Sequence, residues 1–198
     1  MSIIDMKQPK YSVTLPVSKE KVEFRPFTVK EEKILLLAQE DNNVDSMVAS
    51  VGQIISNCTF GKKNIDNINK IDAEFLFVKI RNKSMGEGVN IRAICKECKE
   101  KTPMTLNLED VKVDDVVVNN SINLVDDIWV TLRYPTIKEA MQLDEKDGVT
   151  AIAIALESVI EGDNVKNASD YTMEERIEFV ESLTTAQLLE FKKFFDAF

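Results

Sequence analysis

The residues with the most chemistry in this sequence are Cys95 and Cys98, two thiols separated by Lys96 and Glu97. At the tip of a hairpin, that spacing is the geometry of one zinc knuckle. A structural zinc site takes four ligands, and no second pair is present. The third cysteine, Cys58, falls on the apolar side of a helix, and the sequence holds no histidine. The expectation is that the isolated chain binds no metal. Cys95 and Cys98 are then either a remnant knuckle or half of a site that a partner completes. A thioredoxin-like redox role would want the pair at a helix N-terminus after a strand, not in a β-turn.

The missing histidine reaches further. It removes the commonest general base and the usual switch near neutral pH. Ser–His and Cys–His nucleophile pairs cannot form within the chain. No enzymatic activity and no cofactor are expected. Gly86-Glu87-Gly88 lacks the Lys-Ser/Thr and the helix start of a phosphate loop, and reads as the exit from a helix into a strand. The adjacent acids Asp114–Asp115 and Asp126–Asp127 would point to opposite faces of a strand, without calcium-loop spacing, and read as solvated surface. On the last helix, Leu188, Phe191 and Phe195 read as core. Phe194 and Phe198 are expected to be more exposed than Phe191 and are the candidate partner-binding residues.

Composition narrows the classes. With 198 residues, 44% of them apolar, the chain can bury a core as one large domain or two small ones. Its 34 acidic and 25 basic residues give a net charge of -9, which repels phosphate, so nucleic acid is not an expected partner. No apolar run approaches the roughly 18 residues that span a bilayer. The first residues, Met-Ser-Ile-Ile-Asp-Met-Lys, are too polar for a signal peptide. Three cysteines, an odd number, fit reduced thiols. The expectation is a cytoplasmic chain without membrane contact.

Four capping boxes specify helix starts: Thr28 with Glu31, Thr136 with Glu139, Thr172 with Glu175, and Thr184 with Gln187. Alternation predicts a hairpin over 11–27, followed by a helix from Thr28 to about Gln39 whose Ile34-Leu35-Leu36-Leu37 run suits burial on more than one side. The clearest helix follows, with Val48, Val51 and Ile55 on one face and all three expected to be buried. Asp72 is expected to cap a third helix reaching about Lys83. Val89 to Leu108 alternates as a hairpin with the Cys pair at its tip, and a strand runs over 129–134. The remainder predicts helices over 136–147, 150–160, 172–182 and from Thr184 to the end. No internal repeat is evident. The predicted fold is α+β: an N-terminal hairpin with helices over 1–85, a central antiparallel β portion over 86–134, and a C-terminal helical lobe over 135–198.

Several segments, in order, carry a resemblance. They are Phe24-Arg25-Pro26-Phe27 with Lys30-Glu31-Glu32-Lys33, Phe75-Leu76-Phe77 with Ser84-Met85-Gly86-Glu87, Cys95-x-x-Cys98, and Glu181-Ser182-Leu183-Thr184 with Phe191 to Phe195. Together the sequence resembles the baseplate hub proteins of T4-type contractile-tailed phages. The resemblance implies a component or assembly factor of the baseplate hub that acts by protein–protein contact and carries no catalytic residues. Its partners would be other hub proteins, met in the host cytoplasm during assembly or in the virion tail. The alternative is a cytoplasmic adaptor or chaperone that keeps one protein partner soluble without entering the virion.

Overall fold

Strand pairing sets the plan of the computed structural model, which describes residues 7–41, 43–111, 113, 120–143 and 147–195. The fold is α+β, with antiparallel pairing throughout the described strands. The chain divides into two compact units, Met1–Asp114 and Asp115–Phe198. The three-part division expected from sequence breaks at 85/86 and 134/135. The second of those breaks falls inside a sheet, because strands on either side of it pair with each other.

The first unit opens with the hairpin β1 (Tyr11–Thr14) and β2 (Lys21–Phe24), then α1 (Val29–Asp41), α2 (Val44–Cys58) and α3 (Lys70–Met85). The hairpin β3 (Gly88–Ile94) and β4 (Lys101–Asn107) completes it. Its core gathers Leu15, Val22, Phe24, Ile54, Leu76 and Ile80, all nearly inaccessible.

Two expectations about these helices are corrected. Leu36 and Leu37 are 55% and 60% exposed, because α1 packs on α2 through the side that carries Glu31 and Ala38. On α2, burial concentrates in the C-terminal half at Gly52, Ile54, Ile55 and Cys58. Ile55 is buried as expected, whereas Val48 and Val51 are only half-buried. Gly52 sits where α2 meets the following loop, and a Cβ there would collide with the Ile65 side chain.

Asp72 also has a different role from the expected one. Asn69 is the cap of α3 and accepts from the Asp72 amide at 2.9 Å. The Asp72 carboxylate is buried and faces the β1–β2 turn, accepting from the amides of Val17 at 2.8 Å and Ser18 at 3.0 Å. One side chain thus joins the turn to α3.

The second unit is a four-stranded sheet in the order β5 (Ser121–Val125), β6 (Ile128–Leu132), β7 (Leu156–Glu161), β8 (Asn164–Asn167). The helices α4 (Ile137–Met141), α5 (Gly148–Ala155), α6 (Met173–Glu181) and α7 (Thr185–Phe195) accompany it. The expected helix over 150–160 stops at Ala155, and Leu156 turns into β7. β7 lies between β6 and β8, and its short run from Leu156 to Ile160 is too brief for periodicity to separate a strand from the continuation of a helix. The helix expected over 136–147 is shorter, ending at Met141. Asp126 and Asp127 form the turn between β5 and β6, while Asp114 and Asp115 lie outside the described residues.

Two substitutions test this packing. In Gly52→Ala, removing a mid-helix glycine gains about 1 kcal/mol, but forcing a methyl against Ile65 costs about 1–3 kcal/mol. The expected result is net destabilisation, read as a lower urea midpoint. In Asp72→Ala, two amides of the β1–β2 turn lose their acceptor, and a loss of about 2 kcal/mol or more is expected from the same measurement.

Candidate functional site

Each unit contains the same polar arrangement where a strand hands over to a helix. At the end of β2, Arg25 donates from Nη2 to Glu31 Oε1 at 3.0 Å and from Nη1 to the Pro26 carbonyl at 2.9 Å. The amide of Thr28 donates to Glu31 Oε2 at 2.8 Å, and its hydroxyl donates to the same oxygen. After β6, Arg133 donates from Nη2 and Nη1 to the two Glu139 oxygens at 2.7 and 2.8 Å. Thr136 caps α4, and its amide reaches Glu139 Oε2 at 2.8 Å. The capping boxes at Thr172 and Thr184 also form.

Charge follows geometry at these clamps. Burial pushes the Glu31 carboxyl up, but Arg25 and Thr28 together hold it down at about 2. The Arg133 guanidinium, working against burial, holds the Glu139 carboxyl at about 2. Both groups are displaced away from neutral pH, the opposite of what a general acid or base requires. Arg133 and Glu139 line a cleft of about 450 Å³, together with Glu157 and Arg176. A second, more apolar groove of about 490 Å³ runs between α5 and α7 and includes Val149, Ile152, Leu188, Leu189 and Phe195. Among the described residues, no group of three potential metal ligands converges.

The structure separates the predicted site residues. Phe194 is 2% exposed, which corrects its expected exposure. α7 turns Phe191 and Phe194 together onto the sheet, and Phe194 packs at a tilt against Tyr134 at 5.3 Å and edge-on against Phe195 at 5.3 Å. The outward side of α7 carries Leu189 instead. Phe198 lies outside the described residues.

Cys95 and Cys98 are exposed at the tip of the β3–β4 hairpin. The Cys95 amide donates to the Glu100 carbonyl at 3.0 Å and the Lys99 amide to the Cys95 carbonyl at 3.1 Å, closing a tight turn. Lys99 takes the left-handed conformation, with φ at 59°. The backbone amides of Cys98 and Glu97 hold the Cys95 thiol below its ordinary range. Cys58 is the opposite case, a fully buried thiol that burial pushes up to about 11.

Sequence reasoning missed the surface that most invites contact. Register places Val89 opposite Leu106 and Ile91 opposite Met104, so these four share one side of the hairpin. Ile91, Met104 and Leu106 are 36%, 45% and 41% exposed. The opposite side is mixed: Asn90 accepts from the Thr105 hydroxyl, and Arg92 and an exposed Ile94 stand beside it. The alternation of Val89, Ile91, Met104 and Leu106 was the signal. It marks an apolar side, but not whether the chain covers it.

Residues 8–198 match the family model described as T4 bacteriophage base plate protein. The baseplate hub assembly protein gp26 of Enterobacteria phage T4 is 24% identical over 156 residues, which is 75% of this chain and 65% of that protein. The chain therefore spans 65% of the length of that curated relative. No solved structure matches it.

Two measurements check the site. Native-state alkylation near neutral pH should modify Cys95 and Cys98 and spare Cys58 until the chain unfolds. The clamps should also make the fold acid-sensitive. A carboxyl held at about 2 against an ordinary 4.5 stabilises the fold fully above that ordinary value, and this is lost as pH falls toward 2. Urea midpoints measured across that window should fall less steeply for Glu139→Gln than for the parent.

Proposed function

The chain belongs to the T4 bacteriophage base plate protein family, and from that premise we propose that it acts in the baseplate hub by protein–protein contact, as a hub component or as a factor in its assembly. The observation that carries this reading is the uncovered apolar side of the β3–β4 hairpin, together with exposed Leu36 and Leu37 on α1. A two-stranded hairpin is marginal by itself, and burial against a partner would stabilise it. The work is not enzymatic in this reading, because the strongly displaced ionisable groups are two carboxylates held in structural ion pairs and one fully buried thiol. The partners are other hub proteins, met in the host cytoplasm during assembly. Nucleic acid is disfavoured by the net charge of -9. Among the described residues, no helix is long and apolar enough to cross a membrane.

The word "assembly" in the name of the T4 relative favours a second form of the same reading. In that form the chain binds a hub protein, keeps it soluble and leaves before the tail is finished.

Co-expression with the other baseplate proteins, followed by pull-down and by analysis of finished tails, separates these roles. A hub component co-purifies and remains in tails. An assembly factor co-purifies and is absent from them. The paired substitution Ile91→Ser, Met104→Ser should leave the fold intact by circular dichroism and weaken capture of the hub partner at least about tenfold. Parental capture by a folded double variant would remove the hairpin face from the proposal.

A further inference from the structure

We propose that Cys95 and Cys98 are one half of a zinc site that a second copy of this chain completes, two hairpin tips closing on one ion through four thiolates. This inference does not rest on the baseplate reading, and its test uses the purified chain alone.

The turn is already shaped for the ion. Two cysteines three positions apart, amide bonds that close the loop from Cys95 to Glu100, and a left-handed residue directly after the second cysteine make the tight turn that a zinc knuckle uses. The turn sits at the far end of a hairpin whose residues from Asn90 to Leu106 are all exposed. A second tip therefore meets no obstruction from β3 or β4.

Among the described residues, the chain brings no third ligand to the pair. Its remaining soft ligand is Cys58, which is buried at the end of α2, and it has no histidine. Each chain thus offers two accessible thiols where a structural zinc takes four ligands. A two-fold axis through the ion supplies two more of the same kind. Charge fits as well. From Cys95 to Lys101 the tip carries Lys96, Lys99 and Lys101 against Glu97 and Glu100, one net positive charge in an otherwise acidic chain. Two such tips offset the double negative charge of a zinc ion held by four thiolates. On binding, each thiol gives its proton to the buffer and one sulfur–zinc bond forms in its place. No oxidant or reductant takes part, and affinity rises with pH.

The test is zinc titration of the full chain under a non-thiol reductant, with elemental analysis after gel filtration and sedimentation velocity. The expected result is one zinc per two chains and a dimer that a chelator returns to monomer. Zinc should tighten self-association at least tenfold. Cobalt in place of zinc should give the thiolate charge-transfer band of a tetrahedral four-sulfur site. The Cys95→Ser, Cys98→Ser variant should fold like the parent by circular dichroism, retain no zinc and stay monomeric. Cys58→Ala, wherever it folds, should bind as the parent does. The proposal is overturned by one zinc per monomer, by no retained zinc, by a zinc-induced dimer that survives loss of both tip cysteines, or by zinc retention that needs a different protein.

Discussion

Each half of this protein is fixed internally by a guanidinium gripped by a carboxylate six residues later. Arg25 with Glu31 and Arg133 with Glu139 each join a strand end to a helix start, and a threonine at the intervening cap shares the carboxylate. The arrangement also ties in a third element. The Arg25 amide donates to the carbonyl of Cys58, the last residue of α2, and the Arg133 amide to that of Ala155, the last residue of α5. In each unit one residue therefore fixes a strand end, a helix start and a helix end. Glu31 is buried, so removing Arg25 would strand a charge in the interior, a loss of about 3–5 kcal/mol. The Glu139 pair is about one-third exposed, and water screens it.

The two clamps expose a local recurrence that reading along the chain does not reveal. Arginine, threonine, lysine and glutamate occupy the same offsets at Arg25, Thr28, Lys30, Glu31 and at Arg133, Thr136, Lys138, Glu139. Pro26 and Pro135 fall at different offsets, and little else around these segments matches. The equivalence lies in these four identities and in the hydrogen-bond geometry they make. Even there it is incomplete: Asn57 adds a donor to Glu31, and the corresponding residue before Ala155 is the apolar Ile154.

Features encoded within a few residues were legible in the sequence. Cap chemistry is local, so the helix starts at Thr136, Thr172 and Thr184 follow from their boxes. The β1–β2 and β3–β4 hairpins follow from alternation. What failed depended on distant packing. Leu156 to Ile160 becomes a strand because β6 and β8 flank it, and no local signal distinguishes that from a buried helix. Asp72 looks like a cap but is drawn to the β1–β2 turn more than fifty residues away. Phe194 is buried because the rotation of α7 is set by the sheet beneath it and by Tyr134. The cysteine spacing was legible as a candidate knuckle, and the exposure of the pair depends on the hairpin standing clear of its unit's core.

That contrast bears on how such a protein can act by contact. The clamps, the Asp72 staple and the two cores fix most of the described structure, while among the described residues the strands of the β3–β4 hairpin pair only with each other. Each of its strands keeps an unpaired edge, and one side is apolar and exposed. Edges and apolar sides of this kind invite association. A net charge of -9 opposes indiscriminate association by mutual repulsion, but it acts least where the local charge is small or reversed. The hairpin is such a place: its apolar side carries no charge, and its tip is slightly basic. Under the proposed contact role, repulsion over the rest of the surface would direct a partner to this hairpin, whose strands pair only with each other among the described residues.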